Sequence, residues 1–261
     1  MTEWFLGTMG FNYKQWMGPF YPDGLATRLH LSYYSERLNA LEMDSTFYGS
    51  PSATAVQRWA QVTPVGFKIC LKMPRLITHE KRLVDVDGLT EKFLDRMRLL
   101  GDKLGPILLQ FPPDFSMAEV STLIHFLPKL PQDLRYAVEF RHRSWDKPET
   151  AVLLQTHHLC WAAVDYIYMA RRIVVTTDFL YLRFLGPRGR FPTKDRVMVD
   201  RTADMEQWWQ QIQPHLDQVQ TVYGYFNDDY NGFAPLACNR FKEIVGAEPG
   251  EIRPMQQGRL F

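Results

Sequence analysis

Tyr136-Ala137-Val138-Glu139-Phe140-Arg141 is a short apolar run that ends in an acid and a base. The same form recurs along the chain. It appears in Ala40-Leu41-Glu42-Met43-Asp44, Phe67-Lys68-Ile69-Cys70-Leu71-Lys72, Ile107-Leu108-Leu109-Gln110, Trp161-Ala162-Ala163-Val164-Asp165, Tyr181-Leu182-Arg183 and Val222-Tyr223-Gly224-Tyr225-Phe226-Asn227-Asp228. Each run has strand length, and each ends in a charged or amide side chain. Burying so many polar groups is costly unless they meet one another or a ligand. The (β/α)8 barrel gathers the C-terminal ends of its strands on one face, where active sites of that fold lie. The expected architecture is therefore α/β, a TIM-like (β/α)8 barrel, with a single domain over residues 1–245 and a flexible tail over 246–261.

Working outward from these runs, eight strands are predicted: Trp4–Thr8, Leu41–Ser45, Gly66–Lys72, Ile107–Phe111, Tyr136–Phe140, Cys160–Val164, Phe179–Phe184 and Val222–Phe226. Helical spacing of apolar residues places helices over Leu29–Leu38, from Ser52 onward, over Thr90–Leu104 with Gly105-Pro106 as terminator, and from Ser116 to Phe126. Further helices are expected from Pro148, around Trp208, Trp209 and Ile212, and over Ala234–Ile244. After strand six the pattern breaks. Ile173-Val174-Val175-Thr176-Thr177 reads as extended, so an irregular segment is expected there in place of a helix. A doubly wound open sheet is the competing fold, but it would concentrate polar residues at one switch point. Here they close almost every strand.

The chain has 261 residues and a formal net charge of +1, which gives no global electrostatic case for nucleic-acid or membrane binding. Three scattered cysteines show neither zinc spacing nor a disulfide framework and point to a reducing compartment. The start of the chain lacks a basic region followed by a long apolar stretch, and no apolar run has the length of a membrane span. A cytoplasmic location is the expectation. The sequence carries no nicotinamide, flavin or P-loop signature, so the cofactor stays open.

Alternation along each strand puts Glu42 with Asp44, Lys68 with Cys70 and Lys72, Glu139 with Arg141, and Tyr181 with Arg183 on common faces. With helices outside, the polar members point inward, giving a mouth of Glu42, Asp44, Lys72, Gln110, Glu139, Arg141, Asp165, Arg183 and Asn227. One reading is a self-satisfied ion network, with Glu139 paired to Arg141 or Asp165 to Arg183. The functional reading is an active site. Glu42, Glu139 and Asp165 are its candidate catalytic acids, with Glu139 or Asp165 as general base. Lys72, His79, Gln110, Arg141, Arg183 and Asn227 are candidate substrate-binding residues. Arg141, Arg183 and Lys72 could clamp a phosphate or carboxylate, and paired acids could instead cleave a glycoside. A divalent metal on Glu42, Glu139, Asp165 and His79 is disfavoured by the competing cations. Trp16 and Tyr21, in the aromatic loop from Gly10 to Leu25, either plug the barrel end or stack on a base or sugar ring. The loop from Arg188 to Arg196 follows strand seven, where barrel phosphate sites often form.

Specific strings then carry a resemblance. They are Trp16-x-Gly18-x-Phe20-Tyr21-Pro22, Glu42-Met43-Asp44-Ser45-Thr46-Phe47-Tyr48, Lys72-x-Pro74 with Thr78-His79, Leu109-Gln110-Phe111-Pro112-Pro113, Val138-Glu139-Phe140-Arg141-His142-x-Ser144-Trp145, and Tyr225-Phe226-Asn227-Asp228 with Ala234-Pro235. In this order they resemble the YecE-like family, TIM-barrel proteins of unknown function, over nearly the whole chain. The resemblance implies a TIM-like barrel with signature positions at Glu42, Lys72, His79, Gln110, Glu139, Arg141, Asp165, Arg183 and Asn227, and it implies no activity. This chain departs from the family pattern in two places. Asn227-Asp228-Asp229 stands where an Asn-Asn-Asp-like run is common, and Phe184-Leu185-Gly186 stands where a His-Gly pair is expected. The functional expectation is hydrolysis of a phosphate-containing, nucleic-acid-related substrate, with a non-catalytic nucleotide or nucleic-acid binding module as the alternative. The final residues Gln257-Gly258-Arg259-Leu260-Phe261 look like the short peptide by which bacterial enzymes dock on the DNA sliding clamp, with Leu260 and Phe261 as anchors.

Overall fold

The computed structural model describes residues 2–166 and 169–252. Among them the alternating runs form nine strands: β1 (Glu3–Met9), β2 (Ala40–Met43), β3 (Lys68–Lys72), β4 (Leu104–Gln110), β5 (Tyr136–Glu139), β6 (Cys160–Trp161), β7 (Ala163–Asp165), β8 (Phe179–Phe184) and β9 (Thr221–Phe226). Hydrogen-bonded neighbours run β6-β5-β4-β3-β2-β1-β9-β8-β7, all of them parallel. The two ends of that order are halves of one stretch, separated by Ala162 alone. Cys160 and Trp161 pair with Ala137 and Val138 of β5, whereas Val164 pairs with Arg183 of β8. The Ala162 N–H donates to Val138 O at 2.9 Å. The predicted sixth strand therefore supplies both edges of the sheet and brings it round into a nearly closed barrel.

The helices are α1 (His30–Ser35), α2 (Ser45–Tyr48), α3 (Ala53–Val62), α4 (Asp87–Met97), α5 (Val120–Phe126), α6 (Pro148–Thr156), α7 (Thr202–Ile212), α8 (Asp228–Asn231) and α9 (Ala234–Val245). Ser52 caps α3, its hydroxyl accepting from Ala55 N at 3.2 Å. Pro148 opens α6, where its missing N–H leaves nothing unpaired. Several expected boundaries move: the strand expected to reach Ser45 ends at Met43, and the helix expected from Ser116 opens with a 3-10 turn, Met117–Glu119. The first helix begins as a 3-10 turn over Thr27–Leu29, so its α-helical part is shorter than expected. The helix expected to reach Leu104 stops at Met97 and passes into a 3-10 turn, Arg98–Lys103, in which Gly101 adopts φ 55°. That left-handed residue turns the chain. Gly105-Pro106 lies inside β4 instead, near the strand start, where a missing N–H is tolerated.

Between β7 and β8 the described residues contain no helix, as the β-branched run foretold. Thr176 holds this segment to strand six. Its hydroxyl accepts from Trp161 N at 2.8 Å and donates to Leu159 O at 2.6 Å. Ile173 and Val175 pack against the outer core in the place of a helix face.

Two cores result. Phe5, Ala40, Cys70, Leu108, Ala137, Cys160, Tyr181 and Tyr225 belong to a core inside the barrel, while the larger core lies between sheet and helices. The apolar inner side chains end below the C-terminal ends of the strands, and the polar residues begin there. At the opposite end, the Asn239 side-chain amide exchanges bonds of 2.7 and 2.9 Å with the Gly250 backbone. Among the described residues no helix is long and apolar enough to cross a membrane.

Candidate active site

The last inward positions of β1 to β5 and of β8 are Met9, Glu42, Lys72, Gln110, Glu139 and Arg183. Register sets Met9 beside Glu42 and Gln110 beside Glu139, and Lys72 stands one inward position beyond Cys70, the register partner of Glu42. All are buried. Arg183 stands at the centre. Its Nη2 and Nε donate to the two Glu42 oxygens at 2.7 and 2.9 Å, and its Nη1 donates to Glu139 Oε2. Arg141 donates from Nε to the other Glu139 oxygen at 2.7 Å, and Tyr181 Oη donates to Glu42 at 2.7 Å. Two carboxylates and two guanidiniums thus alternate. Burial alone would raise the Glu139 pKa, but Arg183, Arg141 and Lys72 outweigh it and hold the carboxyl down at about 2. Gln110 sits in the same layer with its Nε2 given to Phe111 O.

Lys72 is different. It is 8% exposed, and its Nζ lies 3.9 Å above the Phe47 ring. Among the described residues it has no hydrogen-bond or ion-pair partner on Nζ. Burial, and next the charge of Arg183, bring its pKa down to about 8, against the opposing pull of Asp44, Glu139 and Glu42. Asp44, just past β2, moves the other way. Burial and the neighbouring Glu42 raise it to about 6. His79 is lowered to about 4 by burial first and then by Lys72 and Arg141, so it is neutral at pH 7. Its Nδ1 pairs with Thr78 Oγ1 at 2.8 Å, and its ring meets Phe47 edge-on at 4.9 Å. An acid and an amine drawn toward neutrality from opposite sides are the equipment of acid–base chemistry.

The structure does not bring every predicted site residue to this layer. Asp165 shares the outer face of strand six with Trp161 and Ala163. It accepts from Trp208 Nε1 of α7 at 3.1 Å and pairs with Arg171 at 2.9 Å and Arg201 at 3.3 Å. The expected Asp165–Arg183 pair is thus replaced by Glu42–Arg183 and Glu139–Arg183. Trp16 and Tyr21 are fully buried. Trp16 packs among Tyr13, Phe20 and Phe233, and Tyr21 stacks on His30 with centroids 4.1 Å apart. Their faces are taken by protein, so the loop plugs the barrel end, the first of its two readings, and leaves neither ring open for stacking on a ligand. Asn227 caps α8, its Oδ1 accepting from Asp229 N at 2.8 Å.

The chain after β8 folds down on α8. Lys194 reaches Asp229 at 3.3 Å, and Gly189 N donates to the same carboxylate at 3.1 Å. Gly186 passes so close that a Cβ there would lie 1.6 Å from Asp229 O. That contact explains the glycine without any histidine beside it. Arg188, Arg190 and Arg196 of this loop are exposed.

Three residues given no catalytic or binding role in the sequence also matter. Asp44 was placed in the mouth by its shared face with Glu42, and Tyr181 was legible from its shared face with Arg183. Asp228 stood at the polar end of the last strand run, but nothing there marked it as buried. Its Oδ1 accepts from Ala234 N at 2.9 Å and Trp16 Nε1 at 3.3 Å, its Oδ2 is buried without a hydrogen-bond partner, and burial raises its pKa to about 7. Among the described residues no group of three or more His, Cys, Asp or Glu is placed to hold a metal ion. Gln257, Leu260 and Phe261 lie outside the described residues.

The family model described as "Protein of unknown function DUF72" matches residues 5–259. The UPF0759 protein YecE of Escherichia coli K12 is 38% identical over 112 residues, which is 43% of this chain and 41% of that protein. The UPF0759 protein YunF of Bacillus subtilis is 29% identical over 264 residues, 90% of this chain and 93% of that protein. Among solved structures, a DUF72 family protein from Thermotoga maritima superposes with TM-score 0.78 at 28% identity, covering 94% of this chain and 99% of that one. One from Enterococcus faecalis gives 0.77 at 20% identity over 98% of this chain and 99% of its own, a likeness of fold.

Proposed function

The chain belongs to the DUF72 family of proteins of unknown function, and on that premise we propose that its barrel mouth is an active site for a phosphate-bearing substrate. The observation that carries the reading is that Lys72 is buried over the Phe47 ring with no ionic partner, in the same mouth as Asp44, a carboxyl raised to about 6. Roles within the mouth shift accordingly. Glu139, held near 2 by two arginines, is a poor proton acceptor, and Asp165 belongs to the α7 contact. Asp44 takes the role of general base, activating water against a phosphoester. Arg183 has its Nε, Nη1 and Nη2 committed to Glu42 and Glu139, so it positions them. Arg141, bonded through Nε alone among the described residues and 26% exposed, holds the anion and stabilises the charge that develops on it.

The paired-carboxylate route to glycoside cleavage is less favoured, because Glu42 and Glu139 share the same guanidinium and Glu139 cannot serve as a proton donor. The rival of another class is a binding module for a nucleotide or nucleic acid, using the mouth and the exposed arginines of the loop after β8. A screen of phosphomonoesters, phosphodiesters and glycosides separates them. Phosphoester turnover is expected, and Asp44→Asn should reduce kcat by about 10²-fold or more. Binding without turnover would favour the module. Docking of the chain's last residues on a sliding clamp remains a separate proposal. An isolated peptide covering Gln257 to Phe261 that does not bind the clamp would remove it.

A further inference from the structure

Lys72 leaves the inner face of the barrel at the C-terminal end of β3, two residues beyond Cys70 of the inner core. The carboxylates bonded below it are committed elsewhere. Glu42 is taken by Arg183 and Tyr181, and Glu139 by Arg183 and Arg141. The amine is left against the face of Phe47. A lysine that only neutralised the network would lie within ion-pair distance of a carboxylate, and one that only bound an anion would be best kept fully charged. This one is desolvated and faces the cationic Arg183, which favours loss of its proton. A buried, partnerless amine in a polar pocket has its lone pair available for a carbonyl carbon.

We propose that Lys72 is the nucleophile of an imine-forming site, and that its ligand is an aldehyde or ketone bearing a phosphate group. The proposal rests on the reading above for the anion site alone and departs from it on the reaction. The neutral Nζ attacks the carbonyl carbon, and the C=O π pair moves to oxygen, which is protonated. The proton that Nζ loses is the one this oxygen gains, giving a neutral carbinolamine. The Asp44 carboxyl then donates a proton to the hydroxyl, water leaves, and the nitrogen lone pair closes the C=N bond. The iminium keeps one proton on nitrogen. One carbonyl oxygen departs as water, and no oxidant or reductant is consumed.

The test is reductive trapping of the full chain at pH 7 with glycolaldehyde phosphate and sodium cyanoborohydride, whose hydride fixes the iminium as a secondary amine. Peptide mapping compares Lys72 with the exposed Lys92 and Lys147. A pKa lowered from 10.5 to about 8 enlarges the neutral fraction at pH 7 by about 10²-fold. Labelling of Lys72 at least about tenfold faster than of the exposed lysines is therefore expected, allowing for its burial. Phosphate-free glycolaldehyde should label Lys72 more slowly, and Arg141→Ala should erase that difference. Equal rates with both aldehydes, still selective for Lys72, would keep the imine site and overturn the anion site. Labelling of Lys72 no faster than of Lys92 and Lys147 overturns the inference. If phosphoester turnover were found alongside that result, the reading above would stand without it.

Discussion

Lys72 carries a free-energy cost that the Phe47 ring and the neighbouring carboxylates offset only in part, and this gives a sharp prediction at the residue scale. Its folded pKa is lowered from 10.5 to about 8. Between those values the folded protein binds fewer protons than the unfolded chain, so stability rises with pH across that window, and below it the penalty is present in full. Lys72→Met, close in volume and apolar, should therefore stabilise the protein at pH 7 by about 1–3 kcal/mol while removing trapping at that position. The gain should fade as the pH approaches 10.5. Urea denaturation at pH 7 and pH 10.5 checks it, and a variant less stable than wild type at pH 7 would mark Lys72 as a structural residue. Alternation made Glu42, Lys72, Gln110, Glu139 and Arg183 legible in the sequence, because period two fixes the inward face. Asp165 was misplaced for the same reason read incompletely: it shares parity with Trp161, and a bulky indole on the helix side puts Asp165 there too. Which carboxylate would hold Arg183 was not legible, since the partners Glu42 and Arg183 lie 141 positions apart in the chain.

At the scale of elements, strand six is where the barrel depends on an irregular neighbour. The Thr176 hydroxyl serves Trp161 N and Leu159 O together. Thr176→Val keeps the shape and removes both bonds, leaving a partly buried N–H and carbonyl unpaired at the seam where the sheet meets itself. The expected loss is about 1–3 kcal/mol in denaturant titration, with faster hydrogen exchange at Trp161 than at the centre of β9. An unchanged midpoint would show that the seam is held by packing alone. The β-branched run from Ile173 to Thr177 announced the missing helix because those residues stiffen an extended chain. The break at Ala162 gave no signal, since it comes from the geometry of closure and not from any local preference. The aromatic loop was ambiguous in sequence because a ring suited to stacking on a ligand is equally suited to a plug. Trp16 and Tyr21 are both found inside the core.

For the whole molecule, a net charge of +1 hides a strongly organised interior. The barrel supplies a floor of apolar side chains, a layer in which Arg183 locks Glu42 and Glu139, and above it Lys72, Asp44 and Arg141 with protons or hydrogen bonds to give. Buried ion networks of this kind gain little over apolar packing, which supports the proposed reading that the poised amine and carboxyl serve what enters the mouth. The loop after β8, rich in arginine but folded onto α8, is the competing anion site. A crystal of the protein soaked in tungstate, a phosphate mimic visible by anomalous scattering, chooses between them directly. An anomalous peak is expected at the barrel mouth in contact with Arg141 and within reach of Lys72, lost in Arg141→Ala. Tungstate bound at Arg188, Arg190 or Arg196 with the mouth left empty would contradict it.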